Sequence, residues 1–218
     1  MRSSSPAAKS RSVPRAAGSK SAVRIIGGQW KRTPLVVSDA EGLRPTPDRV
    51  KESLFNWLLH FHQGSLQGLR ALDLFAGTGA LGFEAASRGA REVVLVEKNA
   101  NLCALLIAAK SKLDAGHVEV LNWDALRATE GLFESERRFD LIFLDPPFYA
   151  EWLMRAIPSC LPLLADEGLL YLESEYAIDS KLASTWGLEL LRADKAGQVF
   201  YHLLRRKIGN IPGESSPC

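Results

Sequence analysis

Four consecutive residues, Asp145-Pro146-Pro147-Phe148, carry the sharpest chemical signal in the chain. Two prolines cannot donate to a sheet ladder, so they end the apolar run Phe139-Asp140-Leu141-Ile142-Phe143-Leu144 abruptly. The Asp145 carboxylate and the Pro146 carbonyl are left as rigid acceptors, and Phe148 adds a flat face for stacking. This arrangement suits an exocyclic amine, whose lone pair is delocalised into its ring. Fixed oxygens that accept both amine hydrogens favour the pyramidal, attacking form. Attack on a methyl group then depends mainly on holding the atoms about 3 to 3.5 Å apart. These four residues are therefore read as catalytic, against the alternative of a Pro-Pro strand stop with an aromatic plug.

A second stretch, Ala71 to Ala85, reads as strand, glycine turn and helix, and should hold a small molecule over the turn. The spacing Gly77-x-Gly79-x-x-Gly82 matches the dinucleotide fingerprint, so an NAD-dependent dehydrogenase competes here. The strand ends argue otherwise. In open parallel sheets ligands bind beyond the carboxyl ends of the strands, and here the first four ends carry Asp73, Glu97, Asp124 and Asp145. A pyrophosphate would be repelled by such a ring. S-adenosylmethionine instead brings a sulfonium, an ammonium, two ribose hydroxyls and an adenine amine. Glu97 is placed for the ribose hydroxyls, and Asp124 for the adenine amine with the Ala125 amide nearby. Asp73 and the amides of Gly77, Thr78 and Gly79 are placed for the methionine end, with Phe75 and Lys98 completing the cofactor set. For each acid, a helix cap or a solvated strand end is the structural alternative.

The elements that position these residues alternate. Runs at Glu92 to Glu97, Val118 to Leu121, Phe139 to Leu144 and Gly168 to Glu173 read as strands. Asn99 to Leu113, capped by Asn99, and Ala150 to Leu164 read as helices. Alternation of this kind means a parallel sheet with helices on both faces. Leu188 to Arg192 and Gln198 to Leu204 are separated only by Ala193 to Gly197, too short for a parallel crossover, and predict a terminal hairpin. The expected fold class is α/β: a Rossmann-like, mostly parallel seven-stranded sheet with an antiparallel C-terminal strand, plus a small N-terminal β-hairpin and helix. Boundaries are expected at 1–21 for a disordered basic tail, 22–62 for the hairpin-and-helix extension, 63–207 for the catalytic domain and 208–218 for a flexible tail.

Charge separates these parts. The chain has 218 residues and a net charge of +2, yet residues 1–33 hold eight basic side chains and no acid, leaving −6 for the rest. A basic arm on an acidic body suits a polyanionic partner bound through phosphates. Arg24, Trp30, Lys31 and Arg32 decorate the expected hairpin, offering charge and an aromatic face together; a hairpin that merely covers the domain, anchored by Trp30, is the alternative. A helix over 47–61 should be capped by Thr46, start at Pro47, and bury Val50, Leu54, Trp57, Leu58 and Phe61. His60 and His62 read as solvated. Three scattered cysteines predict reduced thiols, with Cys103 and Cys160 in the core and no zinc site. No secretory or membrane-spanning run is seen, so a soluble, cytoplasmic protein is expected; a monomer is expected as well.

Longer matches narrow the reading. The D-x-F-x-G-x-G turn with D-P-P-F resembles amino-methyltransferases acting on adenine, cytosine or guanine amines. R-I-I-G-G-Q-W at 24–30, L-R-P-T-P-D-R-V at 43–50, L-F-N-W-L at 54–58 and A-L-G-F-E-A at 80–85 resemble the RsmD family of bacterial 16S rRNA guanine-N2 methyltransferases. The resemblance implies class I S-adenosylmethionine chemistry on the N2 amine of one guanine of 16S rRNA, position 966 in usual bacterial numbering, in the 30S subunit or an assembly intermediate. It places cofactor contacts at Asp73, Gly77, Gly79, Glu97 and Asp124 and catalysis at Asp145 to Phe148. The family's Trp-Arg-Gly-Arg is Trp30-Lys31-Arg32-Thr33 here, and its Thr-Thr-Asp is Thr46-Pro47-Asp48. Phosphate contacts are assigned to Arg24, Lys31, Arg32, Arg44 and Arg49, with the target base flipped into the pocket. A DNA or RNA adenine-N6 or cytosine-N4 methyltransferase, and a non-catalytic RNA-binding assembly factor, are the remaining rivals.

Overall fold

The computed structural model describes residues 23–36, 46–147 and 152–207. The expectations for the tails at 1–21 and 208–218, and for Arg44 and Phe148, lie outside those residues.

Seven strands form one sheet: β1 (Arg70–Asp73), β2 (Glu92–Val96), β3 (Val118–Leu121), β4 (Phe139–Leu144), β5 (Leu164–Ser174), β6 (Leu188–Ala196) and β7 (Val199–Arg206). Their spatial order is β3-β2-β1-β4-β5-β7-β6. The first five strands run parallel, and β7 inserts antiparallel between β5 and β6. This is the α/β, Rossmann-like class I methyltransferase architecture. The connection between β6 and β7 is tighter than expected: pairing continues to Ala196↔Val199, and Gly197 takes φ 62° in the turn. Only a short turn of this kind lets adjacent strands reverse directly.

Period-two alternation divides the sheet between two cores. Ala71, Leu141 and Phe143 face one apolar cluster, and Leu72, Ile142 and Leu144 face the other. The first cluster is covered by α1 (Asp48–Phe61), α2 (Ala80–Ser87) and α3 (Ala100–Lys112); the second by α4 (Ala125–Glu134), α5 (Trp152–Cys160) and α6 (Ser180–Thr185). Cys103 and Cys160 are buried thiols. The helix expected to reach Leu164 stops at Cys160, where Pro162 sits in a single 3-10 turn and β5 begins at Leu164. Pro158 already removes one N–H from the last turn of α5 and Pro162 removes another just beyond it, so the ladder does not continue.

Residues 23–36 fold back on themselves through one antiparallel bridge, Arg24↔Pro34. The Ile25 N–H donates to the Thr33 carbonyl at 3.0 Å, and the Leu35 N–H to the Val23 carbonyl at 2.8 Å. The arm is thus a hairpin-like loop with little regular strand. Its Val23, Ile25, Trp30 and Leu35 join the same apolar cluster as β1 and β4, so arm and sheet share one core.

Two details of α1 differ from expectation. Pro47 occupies the cap position with ψ 147° and no side chain caps the helix; Thr46 is buried instead. A residue preceding proline is pushed towards extended backbone, which moves Thr46 away from the helix start. The buried stripe includes Phe55, whose ring lies 6.2 Å from Phe143, while Trp57 and Phe61, expected within the stripe, are half-buried at its edge, and Trp57 stacks on Tyr201 at 5.4 Å. His62 is half-buried, and burial lowers its pKa below the ordinary value.

Candidate active site

A cavity of about 450 Å³ opens at the carboxyl ends of β1 to β5. Asp73, Phe75, Gly77, Thr78, Glu97, Lys98, Asp124, Ala125, Asp145, Pro146 and Pro147 all line it. Topology explains this convergence: parallel strands place their carboxyl ends on one edge, and β1 lies centrally between β2 and β4. Backbone bonds extend past the strand ends. The Leu74 N–H donates to the Phe143 carbonyl at 3.1 Å, and the Ala76 N–H to the Val96 carbonyl at 2.9 Å.

Three of the lining acids also hold protein backbone. Asp73 is buried and its Oδ2 accepts the Gly82 N–H at 3.1 Å, tying the first turn of α2 to β1. Burial pushes its carboxyl up to about 7; amide donation from Gly82 and Phe75 opposes the shift, and the Glu97 charge adds to it. Glu97 accepts the Gly77 N–H at 3.0 Å with Oε2 and the Asn99 N–H at 2.8 Å with Oε1. Asp124 caps α4, its Oδ1 accepting the Leu126 N–H at 3.0 Å. A carboxylate offers about four acceptor positions, so a cap bond leaves capacity for a ligand. Cap and ligand site are therefore compatible roles for one side chain.

The glycines divide their work. Gly77 lines the cavity with φ 51°. Gly79 is absent from the cavity wall; it takes φ 76° at the cap of α2, and a Cβ there would stand 2.6 Å from the Phe83 ring and 2.7 Å from Leu106. A Cβ at Gly82 would stand 2.1 Å from Leu95, so this glycine admits close packing of α2 on β2. Of the three glycines expected to make room for a ligand, Gly77 alone lines the cavity.

Several wall residues escaped the sequence reading. Thr46, Pro47 and Val50 bring the start of α1 to the cavity, and Trp123 and Trp152 form part of its wall. The Trp152 ring meets Phe75 edge-on at 5.6 Å, with Lys98 5.8 Å and Arg155 5.3 Å from it. An aromatic in a loop, as Trp123, or at a helix start, as Trp152, has no periodicity that would reveal its direction. Glu173 was within reach, since it sits at the fifth strand end and obeys the same rule as the other four acids. It is buried, lines the cavity and accepts the Tyr171 hydroxyl at 2.8 Å.

The arm residues lie outside the cavity. Lys31 and Arg32 are exposed, as is Arg49 on α1 one residue from the lining Val50. Arg24 pairs with Asp48 at 2.9 Å. Trp30 does not present an aromatic face to solvent: it is 9% exposed and its ring stacks on His117 at 5.9 Å. Apolar burial outweighs exposure because the arm has few other large groups with which to anchor itself. Its docking is polar as well. Fully buried Glu84 accepts the Ile26 N–H at 2.7 Å and pairs with Arg88 at 2.7 Å; Ser87 donates to the Gly27 carbonyl at 2.7 Å and accepts the Trp30 N–H at 2.9 Å. Fully buried Lys51 donates to the Arg24 carbonyl and pairs with Asp48 at 3.1 Å.

No helix among the described residues is long and apolar enough to cross a membrane, and no group of three or more metal-ligating side chains occurs among them. Comparison with known proteins agrees with this architecture. The family model described as conserved hypothetical protein 95 matches residues 23–205. Ribosomal RNA small subunit methyltransferase D of Escherichia coli K12 is 40% identical over 190 residues, covering 85% of this chain and 90% of that protein. The protein of the same name from Haemophilus influenzae is 38% identical, covering 84% and 94%. A solved Escherichia coli structure, 38% identical, superposes with a TM-score of 0.69 over 85% of this chain and 98% of that one. With the family model spanning arm, α1 and the whole sheet, the chain belongs to the conserved hypothetical protein 95 family, that of the small-subunit ribosomal RNA methyltransferases D.

Proposed function

We propose that the protein transfers a methyl group from S-adenosylmethionine to the exocyclic N2 amine of one guanine in 16S rRNA, at position 966 in usual bacterial numbering. The observation that carries this reading is a row of acceptors along the sheet edge in one cavity: Asp124, Glu97 and Asp73 after β3, β2 and β1, then Asp145 and Pro146 after β4. The acceptor set fits the cofactor's cationic and hydroxyl-bearing groups and does not fit a pyrophosphate. Glu97 would hold the ribose hydroxyls, Asp124 the adenine amine, and Asp73 with the Thr78 amide the methionine end, the Gly77 N–H remaining on Glu97. When bound, the cofactor supplies an electrophilic methyl group on a sulfonium.

The chain's own residues do the rest. Asp145 and the Pro146 carbonyl accept the amine hydrogens and aim the nitrogen lone pair. Phe148 is assigned the stacking face. Lys31, Arg32 and Arg49, with Arg24 and Arg44, contact phosphates and set register without reading sequence. Trp30 supports them from inside the core.

Radiolabelled S-adenosylmethionine offered with small subunits, naked 16S rRNA and DNA, followed by digestion and identification of the labelled base, tests the assignment. Label in N2-methylguanosine from small-subunit RNA is expected. Label in N6-methyladenine or N4-methylcytosine, or on DNA, would overturn it, and no transfer at all would favour a non-catalytic assembly factor.

A further inference from the structure

Asp145 explains how an amine is gripped, but the same grip would suit adenine, cytosine or guanine. The residue beside it separates the three. Strands β4 and β5 run parallel, with Leu144 in register with Leu172. Asp145 directly follows the last residue of β4 and Glu173 directly follows Leu172 on β5, which places the two as neighbours at the sheet edge, and both line the cavity. Glu173 is 5% exposed, so its carboxylate is not free to swing into water. The Tyr171 hydroxyl donates to its Oε1 at 2.8 Å, and Tyr171 is itself buried. Burial and the neighbouring Glu173 and Asp145 charges hold the Tyr171 phenol well above its ordinary pKa, keeping it a donor. On its other side Glu173 is in register with Tyr201 of β7, so β5 is fixed from both edges at this point.

We propose that Glu173 determines which base is methylated: its carboxylate accepts the N1–H of guanine while Asp145 and the Pro146 carbonyl take the adjacent N2 amine. Guanine presents two neighbouring donor groups, N1–H and N2–H₂, to two neighbouring acceptors. Adenine and cytosine present their exocyclic amines beside a ring nitrogen that carries a lone pair, so a second carboxylate repels them. A site built to accept a particular N–H discriminates far more strongly than one that only fits a shape. Tyr171 is a positioning residue, acting through Glu173. This inference rests on the guanine-N2 reading above.

The test compares small subunits reconstituted with RNA carrying either guanine or 2-aminopurine at the nucleotide that the wild-type protein methylates. The latter keeps the exocyclic N2 amine and replaces N1–H by a lone pair. Wild-type protein should prefer guanine by about 10³-fold or more in kcat/KM. Glu173→Gln should lower guanine turnover about 10²-fold and bring the two bases within about tenfold, because an amide can donate to N1. Tyr171→Phe should shift the ratio the same way by about tenfold, with cofactor affinity measured by calorimetry unchanged in both variants. An unchanged ratio, whatever the absolute rates, overturns the assignment of Glu173. Should Glu173→Gln fail to fold by circular dichroism, the ratio in Tyr171→Phe decides alone, by the same criterion. Wild-type label on adenine or cytosine would instead overturn the guanine reading itself, and this inference with it.

Discussion

The cavity rim and the N-terminal arm both tie polar side chains to backbone amides, yet the ties serve different ends. At the rim, the carboxylates that hold amides are also the ones that face the cavity: Glu97 holds Gly77 and Asn99, Asp73 holds Gly82, and Asp124 caps α4. The arm's backbone is held from α1 and α2 by Lys51, Glu84 and Ser87, all buried, while the arm's own Lys31 and Arg32 are exposed. Positioning and the proposed function coincide at the rim and are separate in the arm. Stability and RNA affinity should therefore be separable by mutation in the arm but not at the rim.

The largest effect that can break this contrast is expected at Trp30. As a core anchor, Trp30→Ala should cost about 3–5 kcal/mol in denaturant unfolding. An exposed, RNA-stacking ring would leave stability within about 0.5 kcal/mol and raise the Michaelis constant for RNA instead.

Asp73 comes next and concerns the rim. With its carboxyl pushed up to about 7 from an ordinary 3.8, the folded protein keeps a proton that the unfolded chain has already lost between those values. Its contribution to stability therefore falls as pH rises from about 4 to about 7, by up to about 1.4 kcal/mol per pH unit, and levels off above. A cofactor ammonium favours the ionised carboxyl, so cofactor affinity should rise with pH up to about 7. Asp73→Asn should flatten both profiles, measured by unfolding and by calorimetry between about pH 5 and pH 8. An affinity profile as steep as in the wild type would remove Asp73 from the ammonium site.

The smallest effects sharpen the arm. Arg32 takes φ 72° at the position where the family usually has glycine, a left-handed conformation that costs a non-glycine residue about 1–2 kcal/mol. Arg32→Gly should stabilise the protein by about 1 kcal/mol while removing a charge. Combined with Lys31→Ala it should raise the Michaelis constant for RNA several-fold and flatten its salt dependence by about two counterions. Kinetics that stay unchanged across salt would take the arm out of the RNA site.

The same contrast explains what the sequence made legible. Acids at Asp73, Glu97, Asp124 and Asp145 could be placed together because strand alternation alone brings parallel strand ends to one edge. Glu173 follows from that rule applied once more. Trp30 could not be oriented, because a tryptophan in a short loop packs inward or outward according to tertiary surroundings that local spacing does not encode. Thr46 looked like a cap by residue type, but Pro47 fixed the backbone before it and left Thr46 to the cavity wall. Trp123 and Trp152 form the wall from loop and helix-end positions whose direction depends on how α4 and α5 settle on the sheet.

The central claim is a division of labour across one cavity, and crossing Glu97→Ala with Asp145→Ala tests it most directly. Cofactor affinity would be measured by calorimetry and methyl transfer at saturating cofactor. Asp145→Ala should reduce transfer by about 10³-fold or more with cofactor affinity nearly intact, and Glu97→Ala should weaken the cofactor about 10²-fold while transfer at saturation largely survives. Equal loss of cofactor affinity in both variants would contradict it.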